Sequence, residues 1–167
     1  MKALQKLSQK LGEHLNHHNL ILTTAESCTG GGVSAAITDI AGSSAWFDRA
    51  FITYSNEAKM EMLGVAEPTL VSHGAVSEET VIEMVRGAIE HSSANIGVSI
   101  SGIAGPGGGS AEKPVGTVCF AWADENSWLK VATYHFDGDR AEVRQQAVEV
   151  AMKVLYEELE QRSTYSG

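Results

Sequence analysis

Cysteine is scarce: the 167 residues include two, Cys28 and Cys119, in unrelated contexts. Two thiols are too few for a disulfide framework, and a chain of this length can bury a sufficient apolar core without one. Long apolar runs are missing too, since no segment approaches the ~20 continuous apolar residues needed to cross a bilayer. The opening Met1-Lys2-Ala3-Leu4-Gln5-Lys6-Leu7 is interrupted by polar residues too soon for the apolar stretch of a signal peptide. Positive charge is in short supply: 12 Lys and Arg against 21 Asp and Glu leave a net charge of −9. That balance argues against general affinity for nucleic acid, which basic surface drives by neutralising phosphates. It leaves room for one local basic pocket around one small anion. The expected setting is cytoplasmic, with neither a membrane nor a nucleic acid as partner.

What is present is ordinary for a globular chain, 43% hydrophobic and 20% charged. The length fits one domain spanning 1–167, with 163–167 expected to fray. Leu4, Leu7, Leu11 and Leu15 recur at helical spacing and predict an amphipathic helix over about 3–17. Leu20 to Thr24 reads as a buried strand. Thr23 and Glu26 have the spacing of a capping box ahead of helix-compatible sequence from Val33 to Ile40. Phe47 to Tyr54 reads as a second strand. Asn56 to Leu63 reads as a helix stopped by Gly64, and Ser77 as the N-cap of another. Ile96 to Ile103 predicts a third strand. Val115 to Ala123 and Trp128 to Phe136 form a hairpin, and Asp139 caps a last helix whose inner face is Val143, Ala147, Val150, Val154 and Leu155. Alternating elements with one hairpin predict a single-domain, three-layer α/β/α fold on a mixed, mainly parallel sheet.

Two loops have the composition of sites. In Ala25-Glu26-Ser27-Cys28-Thr29-Gly30-Gly31-Gly32, hydroxyls and glycines stand where a strand becomes a helix. Such a turn exposes backbone N–H groups at the positive end of a helix dipole. Ser27 there can attack a carbonyl while the amides hold the oxyanion. A capped helix start with glycines for close packing explains the same residues. Cys28 is a second candidate nucleophile, or a small apolar residue beneath the turn. No Cys/His spacing resembles a metal-ligand set.

A serine needs a base, and the six histidines sit poorly for that role. His14, His17 and His18 lie on the first helix, and His91 at a helix end; His73 and His135 read as surface or core residues. A lysine replaces histidine if desolvation and a positive neighbourhood hold it neutral. Lys59 is the natural candidate, opening a helix behind a strand, although a lone lysine is normally a solvated charge. The second loop, Ser99-Ile100-Ser101-Gly102-Ile103-Ala104-Gly105-Pro106-Gly107-Gly108-Gly109, has its glycines directly off a core strand, where α/β folds bind ligands. Lys113 and Arg140 are the candidate cationic partners of a bound anion.

Six segments in register resemble the CinA C-terminal domain family. They are Thr24 to Gly31, Ile40 to Phe47, Tyr54 to Lys59, Gly74 to Ser77, Ser101 to Gly108 and Lys113 to Val118, and the likeness spans about 5–160. The resemblance implies a stand-alone nicotinamide-nucleotide amidase, which converts nicotinamide mononucleotide and water to nicotinic acid mononucleotide and ammonia. It implies Ser27 as nucleophile, Lys59 as general base and Tyr54 as the residue that orients or relays protons. It also implies an oxyanion turn at Cys28, Thr29, Gly30 and Gly31, and substrate contacts at Ser101, Gly102, Gly105, Gly107 and Gly108, with Arg140 facing the phosphate or ribose. No metal or organic cofactor is expected, and the partners are a pyridine nucleotide and a second copy of the chain in a homodimer. The alternative on the same fold is a catalytically silent nucleotide-binding module.

Overall fold

A computed structural model describes residues 2–165. All of its elements pack around one five-stranded sheet. The chain runs α1 (Ala3–His17), β1 (Leu22–Glu26), α2 (Gly32–Thr38), a 3-10 turn at Ser43–Ala45, β2 (Phe47–Ile52), α3 (Asn56–Leu63), α4 (Glu67–His73) and α5 (Glu78–Glu90). It closes with β3 (Ile96–Gly102), β4 (Thr117–Asp124), β5 (Leu129–His135) and α6 (Arg140–Tyr165).

The strand order is β2-β1-β3-β4-β5. β1 pairs parallel with both β2 and β3, and β4 runs antiparallel between β3 and β5. Four of the five strands therefore point the same way, which is the mixed, mainly parallel sheet with a C-terminal hairpin that the sequence predicted. From β1 the chain crosses to β2 on one side, then returns to β3 on the other. Right-handed crossovers in opposite directions place their helices on opposite faces. One face accordingly carries α1, α2 and α6, and the other carries α3, α4 and α5.

Side-chain alternation along the strands sorts the core into two unequal halves. Ile96, Val98 and Ile100 of β3 and Val118, Phe120 and Trp122 of β4 meet Leu11, Leu15, Val143 and Leu155. The opposite face presents Cys119, Ala121 and Ala123, smaller side chains that bring α5 close to the sheet. Gly87 of α5 lets the end of α3 approach as well, because a Cβ there would run into the carbonyl oxygen of Leu63. β1, an interior strand between two parallel neighbours, is buried along its whole length.

Most sequence-predicted elements recur with ends displaced by one to three residues, and the departures have local causes. β1 starts two residues late and continues through Glu26, so Thr23 and Glu26 are strand residues and not a capping box. Thr23 faces away from α2 and its hydroxyl donates to the Arg49 carbonyl at 2.7 Å. The short α4 was not predicted; Leu70 alone of its residues is buried, too little for a helical period to show. α6 runs to Tyr165, past the Ser163 boundary at which fraying was expected, while 166 and 167 lie outside the described residues. The box-type cap does exist at the start of α6. Asp139 accepts from the Glu142 amide at 2.9 Å, and Glu142 accepts from the Asp139 amide at 3.0 Å.

Candidate active site

β1 is the strand at which the chain reverses its direction across the sheet. In open α/β sheets the crevice beyond the carboxyl end of that strand binds ligands. Ser27 is the first residue beyond it. Its amide donates to Ile100 O at 3.0 Å, which ties the residue to β3. The chain then turns through Gly30 (φ 57°) and Gly31 (φ 99°), left-handed values that favour glycine. Inside the turn Gly30 N donates to Ser27 O at 3.1 Å and Gly32 N to Thr29 O at 2.9 Å. The Gly30 amide is thus taken, and those of Cys28, Thr29 and Gly31 have no acceptor among the described residues.

Beneath the turn lies a carboxylate that sequence reading assigned another task. Glu26 is fully buried. It accepts from Thr24 Oγ1 (3.0 Å), Thr29 Oγ1 (2.7 Å), Val33 N (2.9 Å) and Ser34 N (3.0 Å). The last two are first-turn amides of α2, whose N-cap position, Gly31, has no side chain to offer. Glu26 supplies the anion this helix start requires and staples strand, turn and helix together. Arg144 of α6 braces the same turn from outside, Nε donating to Cys28 O at 3.0 Å and Nη2 to Thr29 O at 3.3 Å. Neither role has a sequence signature, since each depends on which elements meet.

Lys59 comes from the start of α3, which Ser55 caps by accepting from Ala58 N. The first turn points Lys59 inward, leaving it 1% exposed. Its Nζ lies 3.1 Å from Ser27 Oγ, 2.9 Å from Thr53 O and 3.3 Å from Tyr54 O. Burial lowers its pKa, opposed in part by the neighbouring Cys28 thiol, because a low dielectric disfavours the ammonium form. Nζ donates to Ser27 Oγ, whose hydroxyl points to Tyr54 O at 3.5 Å; once the amine is neutral with its two N–H groups on the carbonyls, a lone pair is left for the Ser27 hydroxyl. Cys28 itself is buried, and desolvation pushes its thiol up to about 11. It is therefore a thiol at neutral pH and ill suited to the thiolate chemistry of a nucleophile.

These groups open into a cavity of about 250 Å³ lined by Ser27, Lys59, Tyr54, Ala75, Ser101 and Arg140, among others. That is slightly under the ~300–1,000 Å³ usual for small-molecule sites. The Tyr54 side chain is 65% exposed at its mouth. Its hydroxyl accepts from Arg140 Nη2 at 3.4 Å, and the part of Tyr54 that meets Ser27 and Lys59 is its carbonyl. Arg140 also donates from Nη1 to Gly105 O at 2.8 Å, so its guanidinium spans the entrance from the Gly-rich loop to Tyr54. Ser101 and Gly102 line the cavity wall, whereas Gly105, Gly107 and Gly108 do not. Gly107 is exposed, with nothing within 4 Å of where its Cβ would stand. Asn56, Val76 and Ala104 line the cavity without having been singled out as ligand contacts from sequence.

Lys113 lies elsewhere, donating from Nζ to His73 O at 2.9 Å. With His73, His135, Glu78 and Glu79 it borders a neighbouring depression of about 540 Å³. That depression is larger than the cavity at Ser27, but among the described residues no hydrogen bond joins a serine, threonine or cysteine side chain of its lining to a histidine or lysine side chain. Among the described residues no three His, Cys, Asp or Glu side chains gather as a metal ion would require. No helix among the described residues is long and apolar enough to cross a membrane.

Residues 4–159 match the family model of the CinA C-terminal domain. The nicotinamide-nucleotide amidohydrolase PncC of Escherichia coli K12 is 54% identical over 160 residues, covering 96% of this chain and 97% of that protein. The protein of the same name from Pseudomonas putida is 51% identical over 155 residues, covering 93% and 96%. Among solved structures, the competence/damage inducible protein CihA of Agrobacterium tumefaciens superposes with a TM-score of 0.90 at 44% identity, covering 93% of this chain and 94% of that one. A CinA superfamily protein from Klebsiella pneumoniae gives 0.91 at 40% identity, covering 96% and 99%.

Proposed function

We propose a function for this chain as what it is, a member of the CinA C-terminal domain family: an amidohydrolase acting on a nicotinamide nucleotide. The substrate is nicotinamide mononucleotide, and the products are nicotinic acid mononucleotide and ammonia. The observation that carries the chemistry is the fully buried amine of Lys59, 3.1 Å from Ser27 Oγ, with two carbonyls as its other partners.

In the first half of the reaction neutral Lys59 takes the hydroxyl proton as Ser27 Oγ bonds to the carboxamide carbon. The carbonyl electron pair moves onto oxygen, and turn amides beyond Ser27 stabilise it. The pair then returns, the C–N bond breaks, and protonated Lys59 delivers its proton to the leaving nitrogen, releasing ammonia. In the second half Lys59 deprotonates a water that attacks the Ser27 ester. The acid leaves and the proton returns to Ser27 Oγ. The Tyr54 carbonyl orients the amine, and the Tyr54 hydroxyl works at the entrance with Arg140. Arg140 spends one N–H on Gly105 and one on Tyr54, leaving further donors for the phosphate.

Ammonia release tests the reading. Purified protein should produce ammonia from the mononucleotide at least tenfold more efficiently than from free nicotinamide, and Ser27→Ala should produce none. Silence of the wild-type chain on both compounds would refute the enzyme. The homodimer and cytoplasmic setting are proposed from the family likeness. A solution mass equal to the 17.8 kDa of one chain would rule the dimer out.

A further inference from the structure

Arg144 lies one helical turn beyond Arg140 on α6 and takes no part in the cavity wall. Its guanidinium holds two successive carbonyls of the nucleophile turn, Cys28 O at 3.0 Å and Thr29 O at 3.3 Å. A trans peptide is planar, with its C=O and N–H pointing to opposite sides. Fixing a carbonyl therefore fixes the direction of the following residue's N–H. For the peptide that begins at Thr29 O, the far end is the Gly30 amide, already bound to Ser27 O. For the peptide that begins at Cys28 O, the far end is the Thr29 amide.

Thr29 is 1% exposed, and its N–H has no acceptor among the described residues. Buried backbone donors without partners are rare because each forfeits a hydrogen bond to water. Of the two amides nearer the nucleophile, that of Ser27 is committed to Ile100 O, whereas that of Cys28, like that of Thr29, meets no acceptor among the described residues. The Thr29 N–H is thus an unspent donor two residues past the attacking oxygen, in a peptide plane fixed by a cation on its carbonyl end. That cation also draws electron density toward the carbonyl and leaves the N–H a stronger donor.

We propose that Arg144 is a positioning residue for the hydrolysis: by holding the Cys28 carbonyl it presents the Thr29 N–H to the oxyanion formed when Ser27 attacks. The proposal rests on Ser27 being the nucleophile. Arg144 has an exposed side chain, so its removal leaves no buried vacancy.

The test is steady-state turnover of nicotinamide mononucleotide by the full chain as wild type, Arg144→Ala, Arg144→Lys and Ser27→Ala. Losing an oriented oxyanion donor costs about 100- to 1,000-fold in kcat, and loosening one should cost roughly 10- to 100-fold. Arg144→Ala should show that loss in kcat with KM within about threefold of wild type, because the donor acts on the transition state. Its thermal midpoint should stay within a few degrees of wild type. Arg144→Lys should fall between the two, since one ammonium does not reproduce the guanidinium fork. Methylguanidinium at tens of millimolar should restore part of the kcat of Arg144→Ala and none to Ser27→Ala. A kcat for Arg144→Ala within twofold of wild type overturns the proposal, as does a raised KM at unchanged kcat, or a loss that tracks a lowered midpoint without rescue. Activity in Ser27→Ala would instead overturn the reading of the nucleophile beneath it.

Discussion

A lysine amine loses its charge when its surroundings solvate the ammonium worse than water does, and Lys59 is placed for that outcome. The lowered pKa is a statement about stability as well as chemistry. Between the folded-state value and the reference of about 10.4, the unfolded chain binds a proton that the folded chain does not. Stability therefore rises with pH across that window, and the buried lysine is a burden at neutral pH that disappears near pH 10. Urea unfolding of wild type and Lys59→Met at pH 7 and pH 9.5 should show the difference moving in favour of wild type as pH rises. A difference that stays flat would mean that Lys59 keeps its proton in the fold. Sequence alone made Ser27 legible, since hydroxyl and glycine residues at a strand-to-helix turn have a recognisable composition. It also marked Lys59 as the candidate base, opening a helix behind a strand, but not its burial, which depends on the angle at which α3 leaves β2. Arg144 was missed for the same reason: its partners are carbonyls more than 100 residues away, and carbonyls carry no sequence identity.

At the scale of elements the unit that matters is β1, the turn and α2. Helix α2 has seven residues, no side-chain cap of its own and a left-handed glycine at its N-cap. A helix this short is marginal alone, so its start has to be held by something else. The buried Glu26 carboxylate does so with four donors converging on it. Glu26→Gln preserves the shape but brings an amide group, itself a donor, against donors. The variant should lose roughly 3 kcal/mol, from unpaired buried hydrogen-bonding groups. For a chain of this size that lowers the thermal midpoint by about 6–12 °C, readable by calorimetry. A midpoint within 2 °C of wild type would contradict the role given to Glu26. The capping-box reading of Thr23 and Glu26 had the right helix and the right glutamate, but the wrong mechanism. Spacing shows neither that the strand runs on through Glu26 nor which face of it Glu26 occupies. Helix α3 was legible almost to the residue because both of its ends are marked locally, by the Ser55 cap and by Gly64 at φ 72°.

Over the whole molecule, the site exists because two layers of helices and a reversal of strand order meet at one strand end. The serine leaves β1, the carbonyls that orient the lysine follow β2, the cavity wall comes from β3, and α6 supplies both arginines. The alternation of helices and strands made the three-layer architecture legible, and the hairpin made it clear that the sheet was mixed. The strand order was not legible, and with it went knowledge of which loops share an end. Hence Gly107 and Gly108, grouped by composition with Ser101 and Gly102, fall outside the cavity they were expected to line. A net charge of −9 gives an anionic substrate no long-range attraction, so binding has to rely on local groups such as Arg140.

The central claim is that the assembled fold turns Lys59 into the base for Ser27, and the pH dependence of kcat/KM reports the state of that base in the free enzyme. Ammonia release from nicotinamide mononucleotide should be followed from pH 6 to pH 10 for wild type and Lys59→Arg. Wild-type kcat/KM should rise through a single ionisation below the ordinary lysine value. Lys59→Arg should stay below about 1% of wild type throughout, because a guanidinium does not give up its proton in a protein. Near-normal turnover by Lys59→Arg, or a wild-type profile that is level across the whole range, would contradict the claim.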